Sequence, residues 1–170
     1  MHFGQLGDVV LSLPALGAIR ARFPQAKITV MSGKSTATII KLAQIADEQI
    51  AVDRVALRDG GKISSIGTIL RLVGDVRQRR FDFVVDLNSL YETNLLGFFG
   101  GIPQRLYADR KGRSLNFLCN FPEQPPSEDR LRHVAVRYLD VLKPLGVEAR
   151  PVLELVPADD SPVGAGESQF

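Results

Sequence analysis

The residues with the clearest chemical potential lie near the start of the sequence, where two glycines and an aspartate precede an apolar run. Gly4, Gly7 and Asp8 fall within one short segment that continues as Val9-Val10-Leu11. We expect a tight turn entering a helix, because glycines let a ligand approach the main chain and a helix start offers unpaired N–H groups. An ionised carboxylate there can accept a proton from a sugar hydroxyl. Asp8 is therefore a candidate general base, with helix capping as its alternative role and simple turn geometry as that of the glycines.

Composition and motif content argue against several classes of protein. The glycine turn has neither the Lys-Ser/Thr pair of a P-loop nor the third glycine of a dinucleotide-binding fingerprint. The lone Cys119 excludes an internal disulfide and points to a reducing cytoplasm, and the only histidines, His2 and His133, form no metal-binding cluster. A formal net charge of +2 indicates no bulk attraction to nucleic acid. No apolar run approaches the ~20 residues that a membrane span requires.

Apolar periodicity predicts an open α/β sheet that is mainly parallel and covered by helices in a three-layer, Rossmann-like lobe. The expected strands cover residues 27–31, 49–52, 54–57, 82–87, 103–107 and 152–156. The expected helices cover residues 8–23, 36–44 and 91–99, a segment after residue 61 with a stripe from Ile66 to Val76, and residues 129 or 130 to 145, with Leu131 on the buried face. Pro14 leaves two alternatives for the first helix: a kink at Pro14, or a start at a Ser12 cap with Asp8 in the preceding turn.

The strand at residues 82–87 is short and almost continuously apolar, which is typical of a parallel strand covered on both faces. Its carboxyl end should face a ligand crevice, where Asp86 and Asn88 can bond hydroxyl groups. A charged loop follows the next strand and is expected at the same edge. Its charged residues are Arg105, Asp109, Arg110, Lys111 and Arg113. Clustered guanidinium groups suit phosphate, although such loops are often simply solvated.

The domain is expected to span residues 1–157, with an irregular tail at 158–170. A βα turn such as the one at Gly4 to Asp8 should follow a buried strand, yet only Met1-His2-Phe3 precede it. We therefore expect the first and usually central strand of the sheet to be missing, and the chain to be a truncated gene product, the result of a misplaced start, or an expressed fragment.

Several segments, in this order, resemble the N-terminal half of glycosyltransferase family 9, the bacterial lipopolysaccharide heptosyltransferases. They are Gly4-Gln5-Leu6-Gly7-Asp8-Val9-Val10-Leu11, Pro14-Ala15-Leu16, Arg20-Ala21-Arg22-Phe23-Pro24, Phe83-Val84-Val85-Asp86-Leu87-Asn88 and His133-Val134-Ala135-Val136-Arg137-Tyr138-Leu139-Asp140. The resemblance runs from Phe3 to about Val156. It implies the acceptor-binding lobe of a two-lobe GT-B enzyme, whose absent second lobe would hold the nucleotide sugar.

The resemblance also implies an activity, an inverting transfer of heptose from ADP-heptose to a lipopolysaccharide inner-core sugar. Asp8 matches the family's base, and Gly4, Gly7, Asn88, Arg110, Lys111 and Arg113 are the expected acceptor-binding residues. Relatives often carry Gln in place of Asn88. His133 and Arg137 also match the family, with helix capping or a surface pair as the alternative.

The implied partner is a phosphorylated glycolipid acceptor, with no cofactor, no metal and no nucleic acid. The implied location is the cytoplasm, with peripheral contact at the inner membrane. Without a donor lobe the chain should be inactive or barely active. Two alternatives stay open: a non-catalytic module that binds an acidic glycan or phosphate, and a fragment of a two-lobe sugar-nucleotide epimerase.

Overall fold

The structure, a computed structural model, describes residues 6–52 and 62–147. Its helices are α1 (Leu6–Arg22), α2 (Ala37–Leu42), α3 (Lys62–Arg79), α4 (Tyr91–Phe99) and α5 (Val134–Asp140), and its strands are β1 (Thr29–Gly33), β2 (Glu48–Val52), β3 (Phe83–Asp86) and β4 (Gln104–Tyr107). Single 3₁₀ turns lie at Lys34–Thr36, Asn116–Leu118 and Lys143–Leu145. Within these residues no helix combines the length and apolar character needed to cross a membrane.

The described strands form two separate parallel pairs. β1 pairs with β2, and the register begins with Thr29 opposite Glu48. β3 pairs with β4, and the register begins with Phe83 opposite Gln104. Successive side chains of a strand point to opposite faces, so Val30 joins one apolar cluster while Met31 joins the other. α1 and α5 contribute to the first cluster, and α3 and α4 to the second. The expected three-layer α/β architecture with parallel strands is confirmed.

The first helix is longer at its N-terminal side than the sequence predicted. α1 is assigned continuously through Pro14, and the Ser12 hydroxyl donates to the Val9 carbonyl at 2.7 Å inside the helix. Ser12 is therefore not the start of the helix. Gly7 and Asp8 lie in its first turn, not in a turn that precedes it. Gly4 lies outside the described residues.

The last helix is shorter than predicted, because its first turns adopt other structure. The Asp129 carboxylate accepts the backbone N–H of Leu131 at 2.9 Å, a local bond that competes with helix formation. Leu131 is 97% exposed, so its expected place on the buried face is wrong. α5 instead begins after His133, whose Nδ1 accepts the Ala135 N–H at 3.3 Å. Capping is thus the role that the structure gives His133.

The predicted apolar stripe of α3 is buried towards its C-terminal end, whereas its first residue, Ile66, has a side chain outside the described part of the structure. Val76 is 2% exposed and belongs to the second apolar cluster, with Leu72 and Val73 packed against it. Ile69 and Leu70, which the pattern placed on the same buried stripe, are 50% and 66% exposed. The expectation that Ile69 and Leu70 are buried is therefore wrong.

A groove of about 1010 Å³ lies between the two strand pairs. Among the described strands, β1 pairs with β2 and β3 pairs with β4, and the groove lies between the two pairs. This is where an additional strand would complete one continuous sheet. We call this space the slot.

Candidate functional site

The carboxyl ends of β3 and β4 lie side by side, because Asp86 is opposite Tyr107 in the parallel register. Asp86 is fully buried, and its two carboxylate oxygens accept the Ser89 backbone N–H at 2.9 Å and the Asn94 amide at 3.1 Å. Burial raises the pKa of Asp86, and hydrogen bonds from the Thr93 side chain and from the backbone of Ser89 and Asn88 oppose the rise by favouring the charged form. The bonds fix the turn that leaves β3 and presents Asn88.

Asn88 is held by a buried charge network. Its Oδ1 accepts Arg110 Nη1 at 2.9 Å, and Arg110 Nε lies 3.3 Å from Glu128 Oε1. The same Glu128 oxygen accepts Arg137 Nη1 at 2.8 Å. Asn88 and Arg110 are only 9% and 8% exposed. Oδ1 is occupied, and no described residue accepts from Nδ2, so the N–H donors of the amide are left unbonded in the described chain.

Asp8 is connected to this network through Tyr138, which lies on α5 and is 2% exposed. Burial raises the pKa of the Tyr138 phenol, and the negative charge of Asp8 raises it further. A hydrogen bond with Arg110 and the positive charge of that guanidinium act in the opposite direction. Tyr138 therefore lies within electrostatic range of Asp8 and within hydrogen-bonding range of Arg110. The helices α1 and α5, which carry Asp8 and Tyr138, pack against each other.

The loop after β4 is ordered by local hydrogen bonds. Asp109 accepts bonds from Asn116 and Ser127, and the Tyr91 hydroxyl donates to the Gly112 carbonyl. Gly112 has φ +71°, a left-handed conformation that favours glycine. Lys111 and Arg113 flank Gly112, and both are exposed. The loop thus offers two cationic side chains to solvent from a fixed backbone.

The structure separates the predicted arginines into different roles. Arg110 is buried and bonded, as described, whereas Lys111 and Arg113 face solvent. Arg105 donates to the carbonyls of Ile102 at 2.6 Å and Leu118 at 2.9 Å, so it secures the opposite end of β4 and is not at the carboxyl edge. The expected clustering of Arg105 with the others is therefore wrong. Gly7 is exposed in α1, and a Cβ added there would meet nothing within 4 Å.

Two residues of the network were not among the predicted site residues. Glu128 lies in a charged, proline-rich stretch without periodicity, and its partners come from the loop after β4 and from α5, so no local pattern marks it. Tyr138 was predicted only as part of an apolar helix face. A hydroxyl on a buried face requires a hydrogen-bonding partner, and that was the available signal. In the described part of the chain, no group of His, Cys, Asp and Glu side chains could hold a metal ion.

Comparison with known proteins gives consistent relatives. The chain is 25% identical over 146 residues to lipopolysaccharide heptosyltransferase 3 of Escherichia coli K12. The aligned region covers 83% of this chain and 40% of that protein. A glycosyl transferase family 9 structure from Veillonella parvula has a TM-score of 0.69 at 26% identity, covering 86% of this chain and 40% of its own. An E. coli heptosyltransferase solved with ADP has a TM-score of 0.68 at 17% identity. The match covers 87% of this chain and 47% of the heptosyltransferase. No family model matches the chain.

The chain thus spans less than half the length of these relatives. Its α/β architecture with parallel strands matches the GT-B heptosyltransferase fold. The resemblance predicted from the sequence is confirmed: over more than four fifths of its length, this chain is similar in sequence and fold to heptosyltransferases of glycosyltransferase family 9.

Proposed function

We propose that this chain is the acceptor-binding lobe of an inverting heptosyltransferase, with the site at the carboxyl edge of β3 and β4. The observation that carries the proposal is the buried network from Glu128 through Arg110 to Asn88. It holds an amide with free donors at the sheet edge where ligands of open α/β folds bind. The similarity to heptosyltransferases supplies the reaction class.

In the proposed reaction, the Asp8 carboxylate accepts the proton of the acceptor hydroxyl. The oxygen then forms a bond to the anomeric carbon of the heptose as the bond from that carbon to ADP breaks, which inverts the configuration. Asn88 orients the acceptor by donating from Nδ2 to a sugar or phosphate oxygen. Arg110, a predicted acceptor-binding residue, acts through Asn88, because its guanidinium is bonded within the protein. Gly4 and Gly7 remain proposed points of close acceptor approach.

The exposed cations suggest the kind of acceptor. Lys111 and Arg113 stand on the fixed loop beside Asn88's partner Arg110 and can bind phosphate by charge-assisted hydrogen bonds. A phosphorylated inner-core glycolipid presents such groups. We accordingly propose that the protein works in the cytoplasm and meets its acceptor at the inner-membrane surface. The nucleotide-sugar donor is proposed to bind a second lobe beyond the residues present here.

Calorimetric titration of the full chain with a phosphorylated inner-core oligosaccharide and with its dephosphorylated form tests the proposal. We expect saturable binding that is about tenfold weaker for the dephosphorylated sugar, which corresponds to roughly 1.4 kcal/mol. The double variant Lys111→Ala/Arg113→Ala should lose this preference. As a matched control, Lys41→Ala/Arg77→Ala removes two exposed cations from α2 and α3 and should keep it. Equal affinity of the unmodified chain for both sugars contradicts the phosphate assignment.

ADP-heptose is the second ligand to titrate. We expect no measurable binding, because the donor is proposed to bind a second lobe. Saturable binding of ADP-heptose would place a donor site within this chain and refute the proposed division between lobes.

The alternative function is a non-catalytic module for acidic glycans. It is favoured if the chain binds acceptor but no transfer occurs when a donor lobe is supplied.

A further inference from the structure

The helix α4 carries large apolar side chains on the face that points away from the protein. Its buried residues are small or partly polar: Thr93, Asn94, Leu96 and Gly97. Its exposed residues include four large apolar ones at helical spacing, each between 38% and 53% exposed: Tyr91, Leu95, Phe98 and Phe99. A surface helix of a globular protein normally turns its apolar stripe towards the core. The exposed stripe of α4 therefore has no role in the packing of the described lobe.

Phe117 extends this stripe from a neighbouring turn. The 3₁₀ turn at Asn116–Leu118 packs against α4, and Phe117 is 80% exposed. On α4 itself, the rings of Phe98 and Phe99 lie edge to face with their centroids 5.4 Å apart. We call the four exposed residues of α4 together with Phe117 the apolar face. An exposed apolar patch of this kind marks an interaction surface.

Hydrogen bonds of Asn94 fix which side of α4 is exposed. Its amide donates to Asp86 Oδ2 at 3.1 Å, and its Oδ1 accepts the Leu115 N–H at 2.8 Å. Its backbone carbonyl accepts the Tyr107 hydroxyl at 3.0 Å. Asn94 is fully buried, so a rotation of α4 that buried its aromatic rings would break these bonds. The exposure of the apolar face is thus part of the folded state.

Exposed cations stand at the start of the apolar face. The Tyr91 hydroxyl donates to the Gly112 carbonyl, which fixes the loop with Lys111 and Arg113 beside the first turn of α4. Both cations are exposed, and no described carboxylate pairs with either. Asp109, the acid of the same loop, is half-buried and hydrogen-bonded within that loop region. Apolar side chains with adjacent cations complement an anionic bilayer, whose charged headgroups cover an apolar interior.

A third cation lies near the other end of the apolar face. The guanidinium carbon of Arg105 is 5.5 Å from the centroid of the Phe98 ring. Arg105 donates to the backbone carbonyls of Ile102 and Leu118, which are neutral and do not cancel its charge. Glu92 is the one acidic residue of α4. The charge around the apolar face is therefore predominantly positive.

We propose that the apolar face docks on the surface of an anionic lipid bilayer. In the docked state α4 lies along the bilayer, with Leu95, Phe98 and Phe99 at the boundary between headgroups and acyl chains. Lys111 and Arg113 then meet the headgroups. The inference rests on the proposed function in one respect, because it gives the carboxyl edge its route to a lipid-anchored acceptor.

Co-sedimentation of the full chain with vesicles tests the docking. The vesicles contain phosphatidylglycerol and phosphatidylcholine and no glycolipid, so the result does not depend on acceptor binding. We expect saturable partitioning onto these vesicles. Partitioning onto vesicles of phosphatidylcholine alone should be about tenfold weaker, because they lack the negative charge that attracts cations near the surface.

Two double variants form a matched pair. Leu95→Ser/Phe99→Ser removes two side chains of the apolar face and should partition at least tenfold more weakly. Leu42→Ser/Leu131→Ser removes two exposed side chains outside this face, on α2 and before α5, and should partition as the unmodified chain does. Both variants should keep the affinity for soluble phosphorylated oligosaccharide. Failure of the unmodified chain to bind that oligosaccharide refutes the proposed function, whereas the docking is decided by the vesicles.

A fluorescent probe keeps the test valid should the Leu95→Ser/Phe99→Ser variant fail to fold. Phe117→Cys in a Cys119→Ser background places an environment-sensitive fluorophore on the apolar face. Its emission should shift to shorter wavelength when anionic vesicles are added. The same fluorophore attached through Leu42→Cys in that background should not shift.

Three results overturn the proposal. Equal partitioning of the two double variants, or an unshifted fluorophore at position 117, would show that the apolar face does not contact the bilayer. Equal partitioning onto both kinds of vesicle would show that anionic lipid is not recognised. A dimer that forms without lipid and that Leu95→Ser/Phe99→Ser abolishes, in a chain that binds no vesicles, would assign the face to a second copy.

Discussion

The carboxyl edge of β3 and β4 and the slot beside β3 differ in what joins the elements around them. At the carboxyl edge, Asp86, Asn88 and Arg110 are buried and hydrogen-bonded within the protein. Along the slot, no described strand joins the pair β1 and β2 to the pair β3 and β4. The partners at the carboxyl edge come from β3, α4, the loop after β4, and α5. The geometry of the site therefore depends on hydrogen bonds between these elements.

The largest expected effect concerns catalysis at the carboxyl edge. When the chain is joined to the second lobe of a related heptosyltransferase, Asp8→Asn should lower the transfer rate by about 10³-fold, because a positioned base typically contributes 10²–10⁴. The thermal midpoint of the chain should change little, since the substitution preserves volume. Asp75→Asn, on exposed α3, is the control and should retain full activity. Undiminished transfer by the Asp8 variant would remove Asp8 from the mechanism.

The second effect concerns the stability that the charge network gives to the carboxyl edge. Glu128→Ala should lower the free energy of unfolding by about 3 kcal/mol, because Arg110 and Arg137 would lose the carboxylate that both bond. Urea denaturation measures this loss. Glu123→Ala, an exposed residue in the same stretch, should stay within about 0.5 kcal/mol of the unmodified chain. Equal free energies of unfolding of the two variants would show that the charge network does not stabilise the folded chain.

A third effect concerns the N–H donors of Asn88 and their part in acceptor binding. Asn88→Asp keeps the oxygen that accepts from Arg110 and replaces the free N–H donors by a second carboxylate oxygen. We expect about tenfold weaker binding of the phosphorylated acceptor, roughly 1.4 kcal/mol, with little change in the unfolding midpoint. Asn120→Asp, outside the site, should bind as the unmodified chain does. Unchanged acceptor affinity in the Asn88 variant would show that its donors do not face the ligand.

The smallest effect is a pH dependence at the buried turn of the site. Burial raises the folded-state pKa of Asp86, so the native chain holds a proton that the unfolded chain releases first. Stability from this group is complete below the unfolded pKa and is lost as the pH rises through the folded pKa. The loss is at most about 1.4 kcal/mol per pH unit. Asp86→Asn should remove this component, measured as the difference between the two unfolding curves from pH 3 to 8. A pH-independent difference would contradict the assigned direction.

The local sequence pattern was sufficient to predict the helix and the strand that position the carboxyl edge of β3 and β4. The helix at 91–99 has its predicted bounds, and β3 lies within the predicted 82–87, because apolar runs and their flanking turn residues are local signals. The same reasoning placed Asn88 after a buried parallel strand. Continuous apolar character identified the strand, and parallel topology then fixed which end of it faces ligands.

Side-chain contacts, both local and tertiary, decided the features that the pattern missed. Leu131 has helical spacing, but the Asp129 side chain bonds its N–H and diverts the backbone. Ile69 and Leu70 have the right periodicity, but no described element covers them and both are exposed. Glu128 gains its role from Arg110 and Arg137, which are distant in sequence. The bond from Asp129 is local, whereas the partners of Glu128 lie outside its own turn of the chain.

The central claim is that acceptor binds at the carboxyl edge of β3 and β4 and not in the slot. Titration of the isotope-labelled full chain with phosphorylated inner-core oligosaccharide, followed by NMR, tests it directly. We predict saturable shifts of the Asn88 side-chain amide and of the backbone amides of Lys111, Gly112 and Arg113, with Val30 and Val84 unaffected. Shifts confined to residues that line the slot, or no saturable shift at Asn88, would contradict the account.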